Sequence, residues 1–184
     1  MQLLGPNVIW GASSGTRYIG DTSWHPDDYG GLLKTYSAMK VVMYQEPVEK
    51  DTGCLRIIPG SHHRAFNGAL RPLDEQNLDT GLMPFGVPGS DTPYYPMETH
   101  PTDVLFFDTR AYHGAFGGKP GRSNIQMVYF PEPADEDEVE TLRQIHHRTQ
   151  HQLRVPESFL NSDRPRLQRM VSRLIELDFE ASNA

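Results

Sequence analysis

The chain has 184 residues, of which 37% are hydrophobic, and a formal net charge of −7. This acidic balance argues against nucleic acid or an anionic membrane as the main partner. The sequence contains no long apolar run and no secretory signal pattern, and its single Cys54 cannot form an internal disulfide. We therefore predict a cytoplasmic protein without a transmembrane helix, folded as one domain over residues 1–184.

Short strands joined by turns are predicted for residues 1–133, where Gly and Pro recur throughout. Segments 7–10 and 16–19 flank a Gly/Ser stretch at 11–15, which is a pattern typical of a hairpin. Further strands are predicted from β-branched and aromatic content at 40–45, 54–58, 103–108, 112–115 and 123–130.

Residues 62–98 show little periodicity and contain many Pro, Gly and Asp. A segment of this length without regular structure inside a domain is commonly either a functional lid or disordered. We predict that it covers the substrate site, because loops over a rigid barrel usually carry specificity. His62 and His63, at its start, follow Pro-Gly-Ser and are interpreted as structural residues that support the site rather than as metal ligands.

The C-terminal region, residues 134–184, has a different character. An acidic run at 135–138 suits a helix N-terminus, where the dipole favours negative charge, and predicts a helix to about residue 150. A second helix is predicted from Pro165, with an apolar stripe along one side. Many strands followed by two helices predict a mainly β core, a sandwich or barrel over 1–133, with the helices packed outside.

A His-x-Asp pair at His25 and Asp27 is the first candidate for chemistry. In an extended segment, side chains two residues apart point to the same face, so both can bind one metal ion. A second His would complete the 2-His-1-carboxylate triad that holds Fe(II) in non-haem oxygenases. The pair also occurs by chance, so it needs supporting context. Asp28 is a rival ligand, but at this spacing on a strand it would face away.

His113 is the candidate third ligand, since it follows a strong apolar strand and lies in an aromatic, Gly-flanked stretch. The alternative interpretation is a hydrogen-bonded core histidine without a ligand. Arg122 follows nine residues later, across a Gly-rich turn, where a hairpin would bring it beside His113. A buried arginine needs an anionic partner, and its planar fork suits a carboxylate. The alternative is an ordinary surface arginine near a turn.

The motifs stand in a characteristic order, which is Trp24-His25-Pro26-Asp27, Gly53–His62, Asp103–Phe107, His113 and Arg122. This set resembles the phytanoyl-CoA dioxygenase family, whose members are Fe(II)- and 2-oxoglutarate-dependent oxygenases. The resemblance implies a double-stranded β-helix, that is, a cupin-like jelly-roll. It also implies that His25, Asp27 and His113 bind Fe(II) and that Arg122 holds the distal carboxylate of 2-oxoglutarate.

The same resemblance implies a reaction in which O2 is the second cosubstrate and a C–H bond of a small organic substrate is hydroxylated, with release of succinate and CO2. Thr22 and Lys40 are predicted as further cosubstrate contacts, because they lie on or beside strands near the proposed iron. Two features depart from the family. Only 24 residues precede His25, whereas members usually carry a longer region there. Ala115 stands two residues after His113, where members often have a small hydroxyl residue.

Two other functions remain open on the sequence alone. One is a jelly-roll binding protein with a vestigial metal site, and the other is a cupin-like metalloenzyme that does not use 2-oxoglutarate. No motif identifies the substrate beyond a small molecule. The oligomeric state is also open, with a homo-oligomer as one option.

Overall fold

Eight strands form two four-stranded sheets in the computed structural model, which describes residues 3–75, 83–149, 152–179 and 181–182. The strands are β1 (Val8–Arg17), β2 (Thr22–His25), β3 (Met39–Tyr44), β4 (Leu55–Ile57), β5 (Tyr95–Met97), β6 (Leu105–Asp108), β7 (His113–Ala115) and β8 (Ser123–Pro131). The first sheet has the order β1-β8-β3-β6 and the second the order β2-β7-β4-β5. The chain changes sheet at every step except from β4 to β5, which is the connectivity of a jelly-roll. The prediction of a mainly β, jelly-roll core is therefore confirmed.

Both predicted helices are present, and shorter ones accompany them. The helices are α1 (Arg64–Leu70), α2 (Glu136–Thr149), α3 (Glu157–Leu160) and α4 (Pro165–Glu176). The acidic first turn of α2 and the proline at the start of α4 are the signals from which these two helices were predicted. Two short 3-10 helices cover Arg71–Glu75 and Gly89–Asp91, and a small parallel pair joins β9 (Val155–Pro156) to β10 (Ala181–Ser182). Within the described residues, no helix combines the length and apolarity that crossing a membrane requires.

The chain separates into two compact units, each assembled from separate stretches. The first unit contains residues 1–13, 29–39 and 127–184, and the second contains 14–28 and 40–126. The predicted division near residue 133 does not coincide with these borders, because residues 1–13, which include the first part of β1, and residues 29–39 belong to the same unit as the C-terminal helices. The assignment of the whole chain to one domain remains a prediction.

The first unit is held together by apolar faces of α2 and α4. Val139, Leu142 and Ile145 of α2 are buried at helical spacing, as are Val171 and Leu174 of α4. They pack against a cluster that includes Ile9, Trp10, Leu33, Tyr36, Phe130, Leu153, Val155 and Phe179. Full burial of a side chain of this size contributes roughly 1.5–3 kcal/mol, so this cluster is sufficient to anchor the helices.

One prediction about this region is wrong. Segments 7–10 and 16–19 do not form a hairpin, because β1 runs without interruption from Val8 to Arg17. Gly11 does not form a turn. It allows Phe130 to pack closely against the strand, since a Cβ placed at Gly11 would lie 2.7 Å from Cε2 of Phe130. β1 is the edge strand of its sheet, where small residues that fill no core position are tolerated.

The second unit contains two apolar clusters, one on each face of the second sheet. Val42 and Tyr44 of β3, Phe107 of β6, and Leu55 and Ile57 of β4 join the inner faces of both sheets. On the opposite face, a second cluster is formed by Trp24, Ile58, Leu70, Leu73, Tyr112 and Phe116. Successive side chains of a strand point to opposite faces, so the two clusters lie on opposite faces of the second sheet. The inner face has room for polar residues at one end.

Candidate metal centre

Two histidines are brought together by strand pairing. His25 ends β2 and His113 begins β7, and the two are register partners in the antiparallel ladder. Side chains of directly opposed residues share a face, and these two imidazole rings have centroids 4.4 Å apart. Their proximity therefore follows from the register of the sheet, although they are 88 positions apart in the chain (113 − 25).

Asp27 completes the cluster from just beyond the end of β2. Its backbone N–H donates to the carbonyl of Thr109 at 2.8 Å, which ties the chain after β2 to the segment that precedes β7. Its Oδ1 lies 3.7 Å from Nε2 of His25 and its Oδ2 lies 3.5 Å from Nε2 of His113. All three potential ligand atoms lie within 4.8 Å of one another, so the predicted triad could hold one metal ion.

The hydrogen bonds of the two imidazoles select the tautomer that ligation requires. Nδ1 of His25 lies 2.8 Å from the carbonyl oxygen of Ser23, and Nδ1 of His113 lies 2.9 Å from that of Ala111. A carbonyl can only accept, so Nδ1 carries the proton in each ring and Nε2 presents its lone pair to the cluster. Two imidazole nitrogens and one carboxylate are also the donor set of the non-haem Fe(II) facial triad, so the residues fit that metal.

The charges around the cluster favour ligation at neutral pH. Burial, together with the proximity of His113, lowers the pKa of His25, so its imidazole stays neutral. Burial alone would raise the pKa of the Asp27 carboxyl, but the neighbouring His113 and the positive charge of Lys40 outweigh it and bring the pKa below its usual value. Nζ of Lys40 bonds Oδ2 of Asp27 at 2.5 Å. The predicted contact of Lys40 with the cosubstrate remains a prediction, as the ammonium here pairs with the carboxylate of the cluster.

The cluster opens into a cavity of about 730 Å³ in the second unit. His25, His113, Lys40, Thr22 and Arg122 all contribute to its lining. Thr22 is on β2 opposite Ala115, and its predicted role as a cosubstrate contact remains a prediction. A cavity of this size accommodates a small-molecule ligand.

Arg122 is buried in the wall of this cavity and is held in one orientation. Only 8% of it is exposed, and its guanidinium lies over the ring of Tyr18 at 4.2 Å and that of Tyr44 at 5.3 Å. Nη1 donates to the carbonyl of Thr52 at 2.9 Å and also to that of Gly53. Nε is buried and has no hydrogen-bond partner among the described residues. A buried guanidinium with a donor to spare fits a carboxylate ligand, as predicted from the sequence.

Two residues beside the cluster have roles that the sequence analysis missed or left open. Ser61 is fully buried; its Oγ accepts the backbone N–H of Tyr112 at 2.7 Å and donates to the carbonyl of Ile58 at 2.6 Å. The Pro-Gly-Ser motif was the visible signal for this role. The hydrogen bonds that support the chain before His113 come from the serine of the motif, not from the histidines that follow it. Asp28 turns away from the cluster and pairs with Arg71 at 2.5 Å, as the spacing predicted.

The predicted lid is not supported by the described residues. None of the described residues of 62–98 contributes to the lining of the cavity, whose wall instead includes the run from Thr16 to Thr22. Part of the segment packs on the opposite face of the second sheet, where Trp24 Nε1 donates to the carbonyl of Gly89 at 2.7 Å. Residues 76–82 of the segment lie outside the described residues.

A jelly-roll core with a His-Asp-His cluster beside its cavity is typical of non-haem iron oxygenases. The family model described as phytanoyl-CoA dioxygenase matches residues 4–122, which is more than half of the chain. The chain therefore belongs to the phytanoyl-CoA dioxygenase family, a family of 2-oxoglutarate-dependent non-haem iron enzymes, and the resemblance found in the sequence is confirmed. A search of curated proteins gave no match.

Solved structures resemble the chain in fold. EvdMO1 is 19% identical with a TM-score of 0.50, and the alignment covers 69% of this chain and 28% of that one. EvdO2 from Micromonospora carbonacea var. aurantiaca, complexed with 2-oxoglutarate, is 20% identical with a TM-score of 0.47 over 70% of this chain and 54% of that one. EctD from S. alaskensis with bound Fe is 22% identical with a TM-score of 0.48 over 70% and 47%. The chain thus spans between about a quarter and about half of the length of these proteins.

Proposed function

We propose that the protein is an Fe(II)- and 2-oxoglutarate-dependent dioxygenase that hydroxylates a C–H bond of a small organic substrate and releases succinate and CO2. The observation that carries this proposal is a single cavity with a His-Asp-His cluster and a buried, partly unpartnered Arg122 in its wall. A metal cluster alone would suit many chemistries. The additional buried cation indicates a cosubstrate that carries a carboxylate remote from the metal.

Each residue has a defined task in this proposal. His25, Asp27 and His113 would hold the iron, with both imidazoles presenting Nε2 and Asp27 presenting a carboxylate oxygen. Arg122 would bind the distal carboxylate of 2-oxoglutarate and so orient the keto acid end toward the cluster. The bound iron would supply O2 activation coupled to oxidative decarboxylation of the cosubstrate. The cavity wall would exclude water and position the C–H bond of the substrate.

The proposal is tested by succinate formation from 2-oxoglutarate in the presence of Fe(II), O2 and ascorbate. The Arg122→Ala variant should raise the Kd for 2-oxoglutarate by about tenfold or more, since a buried charge-assisted pair is lost. Arg122→Lys keeps the charge and should lose less affinity. A metalloenzyme that does not use 2-oxoglutarate would be unaffected by either change.

Arg56 offers a matched control for the loss of a buried arginine. It has the same 8% exposure and lies at the same 4.2 Å from an aromatic ring, that of Tyr94, but it does not line the cavity. Arg56→Ala should lower stability and leave the affinity for 2-oxoglutarate unchanged. Equal affinity losses in Arg56→Ala and Arg122→Ala would mean that Arg122 acts on the fold only. Absence of both iron uptake and succinate would favour a binding protein with a vestigial site.

Hydroxylation is the finer part of the proposal, and product analysis tests it. A hydroxylated product carries one additional oxygen atom, derived from O2, for each succinate formed. A product that has lost two hydrogens, or has the same mass as its substrate, would assign the protein a different oxidation or an isomerisation on the same metal site.

A further inference from the structure

Lys40 carries a positive charge in direct contact with the carboxylate of the metal cluster. It is on β3 of the first sheet, whereas His25 and His113 are on the second sheet. Its Nζ lies 2.5 Å from Oδ2 of Asp27, and only 14% of its side chain is exposed. Asp27 is its one acidic partner among the described residues. A cation at this position competes electrostatically with any metal ion for the same carboxylate, and binding of iron as such does not explain it.

The ammonium of Lys40 cancels the formal charge of the three ligands. Nδ1 of His25 and Nδ1 of His113 each donate to a backbone carbonyl, so both imidazoles bind a metal ion as neutral ligands. Asp27 contributes one negative charge and Lys40 one positive charge, so the four side chains together carry no net charge. Two histidines and one carboxylate without the lysine would carry one negative charge. A metal ion is therefore attracted less strongly here than it would be by the triad alone.

The repulsion between the ammonium and a bound ion depends on the charge of the ion. It is proportional to that charge, so it is larger for a trivalent ion than for a divalent ion at the same position. The three ligand atoms lie within 4.8 Å of one another, so an ion among them is close to the ammonium as well. At a separation of about 4 Å and an effective dielectric constant of about 20, one unit of ion charge would change the affinity by far more than roughly tenfold. The side chain of Asp27 is 30% exposed, so water screens this repulsion, and we expect a difference of about tenfold.

We propose that Lys40 makes the metal cluster discriminate against trivalent ions and thereby favours iron in the Fe(II) state. The inference rests on the metal site of the proposed function, but it does not require 2-oxoglutarate. Lys40 is a specificity-determining residue in this role, because it contacts a ligand of the metal and not the metal itself. The repulsion destabilises Fe(III) more than Fe(II), so it raises the reduction potential of the bound iron. Lys40 also restrains the carboxylate of Asp27, and this second effect acts on every ion alike.

The test compares the Kd for Ga(III) with the Kd for Mn(II), each measured in competition with nitrilotriacetate. The ratio of the two constants isolates the effect of ion charge, because a change in the position of the carboxylate alters both. Lys40→Met removes the charge at similar length and should lower the ratio of the Ga(III) Kd to the Mn(II) Kd by about tenfold. Lys40→Gln should do the same, and Lys40→Arg, which keeps the charge, should leave the ratio close to that of the unmodified protein. The midpoint potential of bound iron should fall by about 59 mV in Lys40→Met, which is the equivalent of tenfold for a one-electron couple.

Lys50→Met is the matched control, because it removes the same charge from the chain at a distance from the cavity. Lys50 is exposed, lies 4.0 Å from Asp51 and does not line the cavity. This variant should keep the ratio of the unmodified protein. An unchanged ratio in both Lys40→Met and Lys40→Gln would overturn the inference, and so would an equal fall in Lys50→Met. If the unmodified protein binds neither ion, or if Asp27→Ala binds both as tightly, the metal site of the proposed function itself fails, which is a distinguishable result.

Discussion

The orientation of the Arg122 side chain depends on neighbouring glycines as well as on its own hydrogen bonds. A Cβ at Gly53 would lie 2.5 Å from Nη1 of Arg122 and would also collide with Cα of Gly118. A Cβ at Gly118 would lie 3.0 Å from the same Nη1. Only residues without side chains leave room for the guanidinium to contact the Gly53 carbonyl while it lies over Tyr18. The proposed carboxylate site is thus organised before any ligand binds, which reduces the entropy lost on binding.

Gly53→Ala is expected to damage the proposed cosubstrate site as well as the fold. Gly53 has a φ of +82°, so an alanine there costs about 1–3 kcal/mol of backbone strain, and its methyl group would displace Arg122. We expect the Kd for 2-oxoglutarate to rise about tenfold, together with a lower free energy of unfolding. Denaturant unfolding and calorimetric titration of the same preparation would measure both.

Gly86→Ala separates the two effects. Gly86 has a similar φ of +74°, but no atom lies within 4 Å of a Cβ placed there. This variant should lose stability without losing affinity for 2-oxoglutarate. If Gly53→Ala bound the cosubstrate as well as Gly86→Ala does, then the glycine contact would not determine the position of Arg122.

At the scale of elements, the segment before β7 depends on a turn and a helix that are remote in sequence. Ser61 bonds the backbone N–H of Tyr112, and Nδ2 of Asn67 in α1 bonds both the Ser61 carbonyl at 3.1 Å and the Arg110 carbonyl at 2.9 Å. The hydroxyl of Tyr112 donates to Asp74 in the adjacent 3-10 helix at 2.7 Å. These bonds determine where β7 begins and therefore where its first residue presents an imidazole.

Ser61→Ala should destabilise the protein and weaken metal binding together. It would leave the buried N–H of Tyr112 without a partner, at a cost of about 1–3 kcal/mol. Because His113 is the next residue, we also expect a weaker affinity for Fe(II) or Co(II). Urea unfolding and metal titration would measure the two effects.

Ser172→Ala is the matched control for this change. Ser172 is exposed on α4, and its Oγ donates to the carbonyl of Arg169 at 3.1 Å. Its replacement should change the free energy of unfolding by less than about 0.5 kcal/mol and leave metal affinity as it is. A Ser61→Ala protein as stable as Ser172→Ala would refute the role assigned to the Pro-Gly-Ser turn.

For the molecule as a whole, binding at the site should act as a source of stability. The lining of the cavity draws residues from both sheets, with His25 and His113 on the second sheet and Lys40 on β3 of the first. A ligand that binds only the folded chain raises the free energy of unfolding. The increase grows with the logarithm of the ratio between the free ligand concentration and its Kd.

We therefore expect Fe(II), or Mn(II) as a substitute, to raise the Tm. At a free metal concentration about 100 times the Kd, the gain is about 2.7 kcal/mol, or roughly 5–10 °C for a chain of this size. Asp27→Ala should abolish this shift. Arg122→Ala should retain the metal shift and lose the additional one caused by 2-oxoglutarate. A metal-induced shift that survives in Asp27→Ala would place the ion elsewhere in the protein.

Much of this protein was already determined by its sequence. The acidic first turn of α2 and the Pro at the start of α4 predicted both helices, because these signals depend only on neighbours along the chain. The motifs at His25, Asp27, His113 and Arg122 stood in an order that predicted the family and a metal cluster. Such patterns are readable because local propensity and side-chain chemistry do not require knowledge of the fold.

Only the tertiary structure decided which of these residues meet and which others join them. Gly11 looked like a turn residue until Phe130 was found against it, and the lid predicted for residues 62–98 instead packs, in part, behind the second sheet. Ser61 lay in a visible Pro-Gly-Ser motif, but its role arises from a contact with Tyr112, which is 51 positions away (112 − 61). Long-range pairing sets those contacts, and no short window of the sequence contains both partners.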